Sequence, residues 1–186
     1  MLYILGGVSR SGKSLIAQRA LKEQQIFVES IDLIKMGLSK GLTDLKIDPE
    51  KPSDEVANRI WPVVEAMMHT VLETKQSYLF EGDALMPTSV VNIRREWPNE
   101  VRVCFIGYSN VNVEQKFNDI KTNNTGPNNW TSEYTDDQIK SHIEVSVQFS
   151  RDIEQMCKKT GISYFDTSQD FQGGLDTAYK YLFAHS

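Results

Sequence analysis

Gly7-Val8-Ser9-Arg10-Ser11-Gly12-Lys13-Ser14, the stretch GVSRSGKS, follows an apolar run LYILGG (residues 2–7) and precedes a helical pattern over residues 14–24. Its spacing is G-x-x-x-x-G-K-S, set between a strand and a helix. Each part has a physical reason. Gly7 and Gly12 let the backbone turn so that amide N–H groups face inward, and the helix N-terminus adds its dipole, making an anion site. Lys13 puts a charge at the centre of that site, and the Ser14 hydroxyl suits a hard divalent cation. All eight residues are therefore candidate phosphate-binding residues. A loop of this kind joins a strand to a helix, so it also sets the fold class, α/β.

The rest of the chain is compatible with that reading. It has 186 residues, a hydrophobic fraction of 40%, a charged fraction of 24% and a formal net charge of −5. These values fit one globular domain spanning residues 1–186. An acidic chain lacks the basic footprint of a general nucleic-acid binder, but it does not exclude anionic small substrates, because local positive charge can sit in a net acidic protein. Cys104 and Cys157 lie far apart, with no metal-ligand spacing, and His69, His142 and His185 are scattered. A reducing compartment is expected. No apolar run approaches 18 residues and no leader pattern opens the sequence, so a cytoplasmic protein without a membrane partner is expected. Oligomeric state is left as monomer or homodimer.

Strands and helices alternate along the chain. Strands are expected over 2–7, 26–31 (IFVESI), 77–82 (SYLFEG), 101–108 (VRVCFIGY) and 162–167 (ISYFDT). Helices are expected over 14–24, 33–40, from Asp54 onward, 89–97, 113–120, from Thr135 to Gly161 and over 174–183. The apolar residues Val56, Ile60, Val63, Val64, Met67 and Val71 recur at helical spacing, with Pro62 expected to kink that helix or mark its start. Thr135 and Gln138 form a capping box, and Gly161 is a stop signal. Residues 122–135 (TNNTGPNNWTSEYT) are polar, turn-forming and the best candidate for a mobile loop. Five strands alternating with helices imply a parallel sheet covered on both faces, with ligands beyond the carboxyl ends of the strands.

The acidic residues at those ends are the next candidates. Glu81 closes the apolar run YLF and is placed to hold Mg²⁺ together with Ser14; Asp83 is its reserve. Asp32 follows the second strand. It reads equally as a general base for an acceptor hydroxyl or as the N-cap of a helix starting at Leu33. A cation is needed near the transferred phosphate. Arg59, Arg94, Arg95 and Arg151 are available, with Arg151 favoured because its helix follows the polar loop.

On the loop GGVSRSGKS, with SIDLI after the second strand and FEGDALMP after the third, the sequence resembles the small P-loop kinases of the adenylate kinase-like group. That group includes nucleoside monophosphate, shikimate, gluconate and zeta-toxin-like kinases. The resemblance covers the whole chain in element order. It implies a single-domain P-loop NTPase fold with strand order 2-3-1-4-5, an acceptor-binding segment at 33–60 and a small lid at 110–135. It also implies that the segment after Asp166 borders the adenine. The implied activity is an ATP-dependent phosphotransferase that moves the γ-phosphate of Mg·ATP to a small-molecule acceptor, such as a nucleotide or sugar acid. Lys13, Asp32, Glu81 and Arg151 are the candidate catalytic residues, and Ser14 and Glu81 the metal ligands. One departure is that residues 103–150 contain no arginine, which argues against an ordinary nucleotide kinase. The competing reading is a nucleotide-gated binding or regulatory P-loop protein. A guanine-reading N-K-x-D segment is absent after the fourth and fifth strands.

Overall fold

Strand β1 (Leu2–Gly7) lies at the centre of the sheet, and its side chains show why. Leu2 and Ile4 face one side, Leu5 the other, and all three are fully buried. A strand that is apolar on both faces needs helices on both. The computed structural model describes residues 1–123 and 134–184. In it β2 (Phe27–Ser30), β3 (Tyr78–Gly82), β4 (Val101–Gly107) and β5 (Ser163–Asp166) join β1 in one parallel sheet, ordered 2-3-1-4-5. The edge strands are short, four residues each, and carry the exposed Phe27.

The helices are α1 (Lys13–Gln24), α2 (Ile31–Gly41), α3 (Ser53–Glu73), α4 (Pro87–Glu96), α5 (Val113–Asn123), α6 (Asp136–Thr160) and α7 (Phe171–Phe183). On one face of the sheet α3, α4 and α6 bring Ile60, Val64, Met68, Val90 and Ile153 against Ile4, Val103 and Phe105. On the other, α1 and α7 bring Ile16, Ala20, Leu175 and Leu182 against Leu5, Leu79 and Ile106. Each fully buried aliphatic side chain contributes about 1.5–3 kcal/mol. Cys104 and Cys157 belong to opposite faces and are both free thiols. A third, smaller cluster packs Phe117 and Ile120 of α5 and Ile139 and Ile143 of α6 beneath Val8 and Tyr108. It fixes α5 beside the glycine-rich loop. Among the described residues, no helix is long and apolar enough to cross a membrane.

Several local expectations hold. Thr135 and Gln138 form the capping box of α6, and Gly161 ends that helix in the left-handed region at φ 69. Other boundaries move. α2 begins at Ile31, two residues before the expected start, because the fully buried Ile31 docks on the core as the strand ends. Its N-cap is therefore Ser30, and Asp32 lies in the first turn, which removes the N-cap reading of Asp32. Pro62 neither starts nor ends α3, which runs through it. The backbone bond that proline removes is the one to the carbonyl of Asn58, an exposed residue. α7 starts at Phe171 rather than 174, because the Asp170 side chain accepts from the Gly173 N–H at 2.9 Å and caps it. Residues 43–53 are mostly loop, with one 3-10 turn at Thr43–Leu45. Of the lid segment expected at 110–135, residues 124–133, including Trp130, lie outside the described residues, as does His185.

Register lines up the chemistry. Ser30 pairs with Glu81, Gly6 with Gly82, Gly7 with Ile106 and Gly107 with Asp166. The carboxyl ends of all five strands thus form one row, with the glycine-rich loop at its middle.

Candidate functional site

The loop between β1 and α1 has the backbone that its glycines suggest. Gly7 sits at φ 143 and Gly12 at φ 98, and Arg10 also adopts a positive φ of 59. A Cβ on Gly7 would stand 2.0 Å from the Ile106 carbonyl oxygen, so only glycine fits there. Gly12 caps α1 without any side-chain cap bond. The Lys13 and Ser14 N–H groups are therefore left for a ligand, which is the arrangement an anion needs, while the Leu15 N–H donates to the Gly12 carbonyl at 3.0 Å. Lys13 is buried, at 8% exposure, and its Nζ donates to the Val8 carbonyl at 2.7 Å. Burial lowers its pKa, opposed by the charges of Asp83, Glu81 and Asp32. The hydroxyl of Ser11 is buried and has no hydrogen-bond partner among the described residues.

A cleft of about 920 Å³ opens over this loop. Its floor is Gly12, Lys13 and Ser14; one end carries Asp32, Glu81 and Asp83; the other carries Lys116, Thr167 and Phe171. The structure thus brings the loop, Asp32 and Glu81 together, as the sequence suggests. Ser14 is exposed to the cleft, while Glu81 is 9% exposed. Burial raises the Glu81 pKa, partly offset by the Lys13 charge. Asp83 is raised as well, by burial and then by the neighbouring Asp32 charge. Asp32 is opposed by burial but ends lowered, because the Lys35 ammonium lies 2.9 Å from its carboxylate. Lys35 also stands 3.7 Å from Asp83 Oδ1, too far for a hydrogen bond, and that oxygen is buried with no hydrogen-bond partner among the described residues.

The donor set suits a magnesium–triphosphate. Ser14 supplies a hydroxyl, Glu81 a carboxylate held without a cation of its own, and the loop supplies the anion cradle. Among the described residues no three His, Cys, Asp or Glu side chains converge as an all-protein metal site. Mg²⁺ commonly takes one or two protein groups and completes its shell with phosphate oxygens and water, so the two observations agree.

An acidic excess at one end of the cleft has a measurable consequence. Asp83→Asn is expected to stabilise the ligand-free protein by about 1 kcal/mol, or roughly 2–4 °C in Tm. The pH dependence follows from the raised pKa of Asp83. Between the ordinary carboxylate value and the raised one, the folded state holds more protons than the unfolded chain. This contribution to stability therefore falls as pH rises through that window. Thermal unfolding in chelator across acidic pH checks it: the variant should flatten the fall. Destabilisation by the substitution at neutral pH would contradict it.

No protein-family model matches the chain, and the comparison with curated proteins gives no match. Solved structures do match. A shikimate kinase from Bacteroides thetaiotaomicron superposes with a TM-score of 0.55 at 12% identity, covering 97% of each chain. A gluconokinase from Sinorhizobium meliloti 1021 gives 0.53 at 14% identity, covering 100% of this chain and 96% of its own. An uncharacterized protein from Eubacterium ventriosum gives 0.54 at 13%, covering 100% and 99%. The chain has the fold of the small P-loop kinases.

Within this P-loop kinase fold, sequence reasoning missed Lys116. It is 8% exposed, donates to the Arg10 carbonyl at 3.1 Å and lies over the ring of Tyr108, 4.4 Å from its centroid. The Tyr108 hydroxyl in turn donates to the Ser9 carbonyl at 2.8 Å. A signal was present: Lys116 falls on the apolar stripe of Val113, Phe117 and Ile120, so a cation was placed on the inward face of α5. The arginines go elsewhere. Arg151 Nε donates to the Ser109 carbonyl at 3.0 Å and does not line the cleft. Arg94 donates to the Gly161 carbonyl at 2.8 Å, at the amino end of β5 and away from the cleft. Arg59 and Arg95 are exposed and do not line the cleft either. Arg10 does, from within the loop.

Proposed function

We propose that this protein is a phosphotransferase that moves the γ-phosphate of Mg·ATP to a hydroxyl of a small molecule. The observation that carries the reading is the meeting, in one cleft, of the Gly7–Ser14 loop with carboxylates from two further strand ends. A regulatory nucleotide-binding module needs the loop but not a pair of carboxylates facing it.

The chain's residues divide the work. The loop amides and Lys13 hold the β- and γ-phosphates, and Lys13 neutralises charge that develops on the bridging oxygen. Leaving Val8 for a phosphate costs Lys13 one hydrogen bond and returns a charge-assisted one. Ser14 and Glu81 would hold Mg²⁺, which when bound would supply further neutralisation of the phosphates. The acceptor oxygen bonds to the γ-phosphorus as the bond to the bridging oxygen breaks, and the acceptor proton passes to the Asp32–Asp83 pair. Asp83, whose Oδ1 has no hydrogen-bond partner among the described residues, takes it, while Asp32, held by Lys35, orients the hydroxyl. Lys116 takes the place first assigned to Arg151, on the nucleotide side of the cleft.

Asp83→Asn is therefore expected to lower kcat by about 10²–10⁴-fold with little change in KM for ATP. Asp32→Asn should act mainly on KM for the acceptor. Steady-state kinetics separates the two, and an unchanged kcat in Asp83→Asn would remove it as the base. The reading as a whole is tested by ADP release from Mg·ATP across polyols, sugars, nucleosides and their acids and phosphates. A hit that disappears in Lys13→Ala supports a kinase. A flat response with intact ATP binding favours the regulatory alternative.

A further inference from the structure

Resting on that phosphotransferase reading, we infer that the acceptor carries no anionic group: it is a polyhydroxyl or amino-bearing molecule, not a sugar acid or a nucleoside phosphate.

The acceptor end of the cleft presents Asp32, Glu81 and Asp83. The cations beside them are already committed. Lys35 is ion-paired to Asp32 at 2.9 Å and stands 3.7 Å from Asp83. Lys13 is seated in the loop, where the triphosphate belongs. Counting Lys13 and Lys35 against the three carboxylates leaves an excess of one negative charge. Mg·ATP adds negative charge rather than removing it. A carboxylate or phosphate brought to this end would be repelled at short range in a partly desolvated cleft.

An anionic acceptor needs a fork of arginine or a free lysine to hold it. Among the described residues that line the cleft, none at this end is an arginine or a further lysine; Lys40, Lys46, Lys51 and Arg59 of the 33–60 segment are exposed and outside its lining. Arg94 and Arg102 lie at the amino ends of the strands, where they donate to the carbonyls of Gly161 and Leu182. Arg19 is paired with Asp176 at 2.7 Å on the outer side of α1. Arg151 is tied to Ser109, and Arg10 and Lys116 belong to the opposite end of the cleft. The sequence over 124–133 carries no lysine or arginine. No placement of that segment would add a cation to the site.

The site also asks for a donor. Asp83 lines the cleft, and its Oδ1 is buried with no hydrogen-bond partner among the described residues. A hydroxyl or ammonium of the acceptor satisfies it, whereas a carboxylate or phosphate oxygen cannot. Leaving such an oxygen unpaired is costly, so an acceptor that fills it gains over one that does not.

The test uses matched acceptors: a sugar acid beside its alditol and its amino sugar, and a nucleoside 5′-monophosphate beside its nucleoside. Each is assayed for ADP release from Mg·ATP, with Lys13→Ala as the blank. The expected result is a kcat/KM at least tenfold higher for the neutral or amino member of a pair. In Asp32→Asn the ratio of neutral or amino member to anionic member should fall severalfold, a change that a merely structural role would not produce. Preference for the anionic member overturns the inference and leaves the kinase reading standing; its loss in Arg59→Ala would show that the 33–60 segment supplies the cation. No response from any acceptor, with Mg·ATP binding intact in the wild type, overturns the phosphotransferase reading and the inference with it.

Discussion

Lys13→Ala is expected to lower kcat by about 10²–10³-fold, the cost of losing one preorganised donor to a developing phosphate charge. The ammonium reaches across the loop to the Val8 carbonyl, 2.7 Å away. It is desolvated before any ligand arrives, and burial lowers its pKa against the opposing charges of Asp83, Glu81 and Asp32. A desolvated charge acts on a phosphate more strongly than a solvated one, because little solvent must reorganise. The fold should survive the change. The charge sits at the rim of the core, and what remains unpaired is one loop carbonyl that the open cleft lets water reach. Steady-state kinetics with a thermal melt separates the two effects. A thousandfold loss with a melting point within a few degrees of wild type supports the assignment. Unchanged turnover would remove Lys13 from the chemistry.

Gly7→Ala should have the largest effect on stability, about 3–5 kcal/mol and roughly 10 °C or more in Tm. Two costs coincide there. Gly7 sits at φ 143, which L side chains rarely adopt, and its added Cβ would stand 2.0 Å from the Ile106 carbonyl oxygen. That oxygen belongs to the backbone of β4, which is paired with β1 on one side and β5 on the other and has nowhere to go. Relief requires β1 to separate from β4 where the loop leaves the sheet. The same shift would displace the amides that hold phosphate, so nucleotide affinity should fall with stability. Urea unfolding of the purified variant reads the first effect, and titration with an ATP analogue reads the second. A variant as stable as wild type would mean that the loop is wired differently from this description.

The parts of the fold visible in the sequence were those set by short-range chemistry. The GVSRSGKS spacing, the alternation of apolar strands with helical stripes, the Thr135–Gln138 box and the Gly161 stop all depend on residues within a few positions of each other. What depended on distant packing was harder to see. Ile31 starts α2 early because its side chain is buried against the core, not because of its neighbours in sequence. The pairing of Asp32 with Lys35 follows helical spacing, but Asp83 joins them only once β2 is known to lie beside β3. Lys116 becomes a site residue because the Phe117 and Ile120 face of α5 turns it toward Tyr108 and the loop. Arg151 illustrates the converse. Its position after the polar loop made it attractive, but α6 presents it to the Ser109 carbonyl instead. Short-range rules thus set the loop and its carboxylates, while the cations were sorted by tertiary packing.

The most direct test of the central claim follows the γ-phosphate itself. Wild-type protein is mixed with ATP labelled at the γ-phosphorus, Mg²⁺ and the acceptors that carry hydroxyl or amino groups, and the label is traced. The account predicts that it appears on an acceptor hydroxyl, in step with ADP, and that Lys13→Ala slows it by about 10²–10³-fold. Label recovered only as inorganic phosphate, at a rate no acceptor changes, would contradict it.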